Sequence, residues 1–121
     1  MGGNFFKCWI FGALILLGML GGPAIAVAQT AFFDCTPAVV GVFTNRVYVQ
    51  CTASVLGGVN QFAVSTSDSG MASRFLSAFT TAKVTAKTLR IHYFPSGDGS
   101  PFGCVGSNCR PISGVEVLSV P

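Results

Sequence analysis

The chain contains a single histidine, His92, and four carboxylates that stand far apart: Asp34, Asp68, Asp98 and Glu116. A hydrolytic site would need His92 held beside a serine or cysteine nucleophile, with a third group that orients the imidazole. No spacing in the chain selects one serine for that role, and no motif supports a glycosidase-type pair among the acids. The sequence therefore predicts a protein that is not an enzyme, with a small secreted hydrolase as an alternative.

The first 28 residues have the layout of a secretory signal. Lys7 precedes a short apolar run at 8–20, a break at 21–23, and the small-residue motif Ala26-Val27-Ala28. We predict a signal peptide at 1–28 and a single mature domain at 29–121, secreted or periplasmic. The apolar run is too short for a comfortable membrane span, so we predict no stable span after cleavage; an uncleaved anchor is the alternative.

Four cysteines remain after residue 28: Cys35, Cys51, Cys104 and Cys109. An even number in a small exported domain predicts two disulfides, for which three connectivities are open. Proximity in the sequence favours Cys35–Cys51 and Cys104–Cys109. A zinc site would require a second close pair of ligands, so we predict no metal and no cofactor.

The chemistry that remains is recognition by aromatic and polar side chains. Aromatic faces with a few polar neighbours can stack on a sugar ring or a peptide. The aromatics outside the evident core pattern are Tyr48, Tyr93, Phe94 and Phe102, and the polar candidates to stand beside them are Asp34, Thr36, Arg90, His92 and Arg110. The formal net charge of +3 is mild, and an exported protein rarely meets nucleic acid, so no nucleic-acid partner is predicted.

One helix and five strands must position these side chains. Met71, Phe75 and Phe79 lie four residues apart. That spacing predicts a helix that starts near Ser67 to Ser69 and buries this stripe. Ala72, Leu76 and Ala82 fill the same helix face. Strands are predicted at 38–43, 46–52, 59–65, 88–94 and 112–120, with 29–37 as a lead-in and 95–101 as a loop.

The element order is therefore β-β-β-α-β-β. This order is that of the OB-fold, a small five-stranded Greek-key barrel. We predict a mainly β, disulfide-bonded, OB-fold-like barrel whose end is closed by the helix. The alternative is a different small α+β sheet with the same element order.

The run from Ser73 to Pro95 resembles the helix-plus-strand segment of the B subunits of pentameric bacterial AB toxins. The closest type is the group of subtilase cytotoxin, typhoid toxin and pertussis-like toxins, and the most specific part is Arg-Ile-His-Tyr-Phe-Pro at 90–95. Those chains are short, exported, disulfide-bonded OB-folds, and they tend to carry a late close pair of cysteines.

This resemblance implies a bacterial glycan binder that assembles as a homopentamer and recognises sialylated glycans. It also implies a sugar pocket to which Tyr93 contributes, with Thr36 as the polar residue just before the first strand. Asp34 and His92 complete the predicted binding residues. The alternative function is a stand-alone periplasmic OB-fold protein that binds a protein partner (envelope factor or hydrolase inhibitor).

Overall fold

The computed structural model describes residues 29–104 and 108–119. In chain order its elements are β1 (Ala31–Cys35), β2 (Pro37–Val42), β3 (Arg46–Cys51), β4 (Gln61–Ser65), α1 (Ser69–Val84), β5 (Leu89–Tyr93), a short 3-10 helix (Ser100–Phe102) and β6 (Cys109–Val117). The prediction of a mainly β fold with one helix is confirmed for this part of the chain. The predicted signal peptide at 1–28 lies outside the described residues, as do 105–107 and Val120.

The strands form one mixed sheet in the order β1-β5-β6-β4-β3-β2. Neighbouring strands are antiparallel except β4 and β6, which run parallel. The interpretation of 29–37 as a lead-in is wrong, because Ala31–Cys35 pairs residue for residue with β5. The described sheet therefore has six strands rather than five. β1 and β2 stand at the two ends of the strand order, although only Thr36 separates them in the chain.

Alternation along the strands decides which side faces the main core. Leu89, Ile91 and Tyr93 of β5 are buried, and the residues between them are not. In β3 the same period buries Val47 and Val49. Apolar residues at every second position are what a strand with one buried side requires. The sequence pattern therefore fixes the inward and outward sides of these strands.

Helix α1 packs against the inward side of the sheet. Its N-cap is Asp68, whose carboxylate accepts the Met71 N–H at 3.0 Å. Phe75 and Phe79 are buried, and burial of a phenylalanine side chain stabilises the fold by roughly 1.5–3 kcal/mol. The prediction that Met71 belongs to the buried stripe is wrong, because it is 48% exposed at the first turn. The helix ends at Val84, since Ala86 takes a left-handed conformation with φ of 53°.

The two disulfides join Cys35 to Cys51 and Cys104 to Cys109, the connectivity that proximity favours. The first bridge lies within the main core and ties the end of β1 to the end of β3. The second belongs to a smaller cluster in which Ala63 of β4 is fully buried. Tyr48 and Phe102 pack against that cluster. The segment from Phe94 to Cys104 thus covers part of the outward side of the sheet.

Candidate functional site

The outward side of β1, β5 and β6 is not covered in this way. Phe32 and Asp34 alternate with the inward residues of β1, and the register sets them opposite His92 and Arg90. Those two in turn lie opposite Gly114 and Glu116 of β6. We call this surface the Phe32 face; it consists of Phe32, Asp34, Arg90, His92, Gly114 and Glu116.

A bidentate ion pair joins the first two strands of the Phe32 face. Arg90 donates from Nε to Asp34 Oδ1 at 2.8 Å and from Nη2 to Oδ2 at 3.0 Å. These hydrogen bonds lower the pKa of the Asp34 carboxyl below its usual range, and Asp34 raises the pKa of Arg90. Both groups therefore stay ionised at neutral pH, and the pair fixes the arginine fork in one orientation.

The aromatic ring of Phe32 lies on β1, the outermost strand of the face. The side chain is large and apolar, yet the residue is 62% exposed. The Arg90 guanidinium carbon lies 4.9 Å from the ring centroid, and the His92 ring lies 6.3 Å from it at an angle of 50°. A cation beside the ring is attracted by its quadrupole and restrains it. The ring is therefore positioned, while most of its surface remains available for contact.

β6, the third strand of the Phe32 face, contributes the carboxylate of Glu116. Glu116 Oε2 lies 2.8 Å from Nε2 of His92, and both side chains are partly exposed. Gly114, opposite His92, has no side chain to cover the imidazole. The Phe32 face thus offers acceptors on Asp34 and Glu116 and hydrogen-bonding nitrogens on Arg90 and His92.

An open cleft of about 350 Å³ adjoins the end of β5. Its lining residues are Gln29, Phe94, Pro95, Ser96 and Gly97. Phe94 follows His92 by two positions, so alternation places it on the same outward side of the sheet. A volume near 300 Å³ is the lower end of what small-ligand sites use.

The predicted site residues fall in different surroundings. Asp34 and His92 belong to the Phe32 face. Tyr93 lies in the main core, is 8% exposed, and packs edge-on against Phe62 at 5.1 Å between ring centroids. Its ring is therefore occupied by core packing, and little of it can meet a ligand. Thr36 is exposed between β1 and β2, where its carbonyl accepts the Thr52 N–H.

Sequence reasoning did not include Phe32, Glu116 or Gln29 among the site residues. A signal for this strand was present, because the segment Ala31–Cys35 reads Ala-Phe-Phe-Asp-Cys and aromatic residues are enriched in strands. Treating this segment as a lead-in concealed the strand. Arg110, named among the polar candidates, lies opposite Phe62 in the pairing of β4 with β6 and so away from the Phe32 face.

A second exposed phenylalanine gives a useful contrast. Phe43 is 49% exposed, stacks on Tyr48 at 5.5 Å, and has the Arg46 guanidinium 4.4 Å from its ring centroid. Arg46 also donates to the Gly103 carbonyl at 3.1 Å. These contacts join the β2–β3 turn to the loop before Cys104, so this aromatic group has a structural role.

Neither a protein-family model nor a curated protein matches the chain. Within 29–104 and 108–119, no helix has the length and apolar character needed to cross a membrane. Among the same residues, no group of three or more potential metal-ligating side chains comes together. The toxin-B resemblance therefore stays a prediction.

Proposed function

We propose that this protein is an exported, non-enzymatic binding module that recognises a glycan through the Phe32 face. The observation that carries the proposal is the 62% exposed Phe32 ring, which contacts Arg90 and His92, whose own hydrogen-bond partners are the carboxylates of Asp34 and Glu116. An exposed aromatic ring with a few polar groups beside it can stack on a ligand, while the polar groups orient that ligand by hydrogen bonds.

A sugar ring fits this surface better than most small ligands. Its C–H face packs on an aromatic ring, while its hydroxyl groups both donate and accept hydrogen bonds. Asp34 and Glu116 accept, and Arg90 donates through the N–H groups that Asp34 does not use. The cleft beside Phe94 provides room for a second unit of an oligosaccharide.

The architecture we propose is a closed OB-fold-like barrel. Two observations support it. β1 and β2 are the two edge strands of the sheet, and a single residue, Thr36, connects them. If β1 and β2 are two halves of one bent strand, that strand pairs with both β5 and β3. The two edges of the sheet then meet in a closed barrel of five strands. The Cys35–Cys51 bridge lies at this bend. By the toxin-B resemblance, we further propose a ring of five copies, which native mass spectrometry of the secreted chain tests directly.

Export is part of the same proposal. Two disulfides are compatible with an extracytoplasmic location, because such bridges persist in oxidising compartments. N-terminal sequencing of protein recovered outside the cytoplasm should begin at Gln29. Recovery of the full-length chain in the membrane fraction would contradict this.

The test of glycan recognition compares two exposed phenylalanines. Phe32→Ala should abolish binding on a glycan array, because the ring supplies the stacking surface. Phe43→Ala is the matched control, since Phe43 is also exposed and also contacts an arginine. Binding that survives Phe32→Ala, or that is lost equally in both variants, would contradict the proposed site.

A protein partner is the second candidate. The observation that favours it is the apolar surface of the β2–β3 hairpin, where Val42 is 60% and Phe43 is 49% exposed. A single protein captured from envelope extract and lost with Phe43→Ala, but not with Phe32→Ala, would favour this function over glycan recognition.

A further inference from the structure

The charges around the Phe32 face indicate which class of glycan it accepts. Two of the chain's four carboxylates, Asp34 and Glu116, lie on this face by the sheet register. Among the residues of β1, β5 and β6, Arg90 is the basic residue on that side, and its fork is already engaged by Asp34. With histidine counted as neutral, the face is more negative than positive, although the whole chain carries a net charge of +3.

Among the residues that the structure describes, those that line the cleft at the end of β5 add no positive charge. Its lining residues, Gln29, Phe94, Pro95, Ser96 and Gly97, have uncharged side chains. Asp98, which follows Gly97 in the chain, accepts the backbone N–H and the hydroxyl of Ser100, and these hydrogen bonds lower its pKa. A third carboxylate therefore stays ionised next to the cleft at neutral pH.

We infer that the ligand of the Phe32 face is an uncharged, hydroxyl-rich oligosaccharide and not a sialylated one. This inference rests on the proposed function and makes it more specific. Sugar hydroxyl groups can donate to Asp34 and Glu116, whereas the carboxylate of a sialic acid would meet two like charges. The single guanidinium of the face is already hydrogen-bonded to Asp34 in the geometry a ligand carboxylate would need.

The experiment uses a glycan array of matched pairs, in which each oligosaccharide is present with and without a terminal N-acetylneuraminate. The intact secreted protein is applied at pH 8. We expect the uncharged member of a bound pair to bind at least roughly tenfold more tightly than its sialylated partner. Added salt should reduce this preference, because it screens exposed charges.

Glu116→Gln provides the matched variant, since it keeps the side-chain shape and removes one negative charge. We expect this variant to show a smaller difference in affinity between the uncharged and the sialylated oligosaccharide of a pair, because the sialylated one is repelled less. Phe32→Ala should remove binding of both members.

The outcomes separate the two proposals. Tighter binding of uncharged glycans that depends on Phe32 supports both. Tighter binding of sialylated glycans that depends on Phe32 overturns the inference about charge and leaves glycan recognition standing. A protein that binds no glycan through Phe32 overturns the proposed function, and the inference with it.

Discussion

The outward side of the sheet has two halves that are built differently. Over β3 and β4, the segment from Phe94 to Cys104 and the Cys104–Cys109 bridge bury Ala63 completely. Over β1, β5 and β6, the Phe32 face carries a ring that is 62% exposed, the Arg90–Asp34 ion pair and the hydrogen bond between His92 and Glu116. The half over β3 and β4 is covered by another segment of the same chain, whereas the Phe32 face is exposed and accessible to another molecule.

The difference lies in the residues that each half presents. The covered half uses small residues: Ala63 leaves room for the disulfide, and Gly99 lies against its sulfur atoms. The open half uses an aromatic ring and long charged side chains that pair across strands. Close packing suits permanent burial, whereas paired charges around an aromatic ring suit reversible contact with a polar ligand.

The largest effects on stability should come from removing either of the two disulfides. Cys104→Ala with Cys109→Ala should lower the free energy of unfolding by about 2 kcal/mol, because a short loop loses its closure. Cys35→Ala with Cys51→Ala is the comparison; its loop is longer and the expected loss is about 3 kcal/mol. Urea unfolding measures both. Unchanged stability in the first variant would show that the covered half is not held by its bridge.

A smaller loss should follow from Gly99→Ala. A Cβ atom at Gly99 would lie 2.7 Å from Cys104 Sγ and 2.9 Å from Cys109 Sγ. This overpacking should cost about 1 to 2 kcal/mol in urea unfolding. Gly70→Ala is the control, because a Cβ there meets only Asp68 Oδ1 at 3.5 Å and alanine favours the helix. Equal stability of the two variants would mean that the loop is loosely packed.

Truncation in the open half should change stability least. Phe32→Ala loses its contact with Arg90, which is worth at most about 1 kcal/mol at an exposed site. The same variant should lose glycan binding. If Phe32→Ala destabilises the protein more than Gly99→Ala, the Phe32 ring is part of the packing and the contrast between the two halves is wrong.

The smallest expected effect is a change in the pKa of Asp34. Arg90 holds this pKa below its usual range, so the ion pair contributes to the folded state above the unfolded pKa. That contribution disappears as the pH falls through the folded pKa. In Arg90→Gln the Asp34 pKa should rise toward the ordinary aspartate value, with Arg90→Lys in between, as measured by ¹³C NMR of the carboxyl carbon. No change in either variant would contradict the pairing.

The core could be predicted from the sequence because it depends on periodicity. The spacing of Phe75 and Phe79 predicted the helix, and the alternation of Leu89, Ile91 and Tyr93 predicted β5 and its inward side. Met71 was misplaced, because a residue in the first helical turn can lie beyond the edge of the sheet while keeping the right spacing.

The candidate site could be predicted only in part. Asp34 and His92 were among the predicted binding residues, but their neighbours come from strands distant in the chain. Pairing Phe32 with His92, and Arg90 with Glu116, requires the register of β1 and β6 against β5. A single sequence contains no signal for that register. Tyr93, which the resemblance singled out for recognition, packs in the core and is 8% exposed, and its part in binding stays a prediction.

The Cys35–Cys51 bridge has a consequence for biosynthesis. It fastens the far end of β1, and Phe32 and Asp34 stand three and one positions before Cys35. Until the two thiols are oxidised, the N-terminal segment is held to the rest of the protein mainly by its ladder with β5. A chain in which these two cysteines are still reduced should therefore hold Phe32 and Asp34 less firmly, and the proposed glycan binding should strengthen once the bridge has formed.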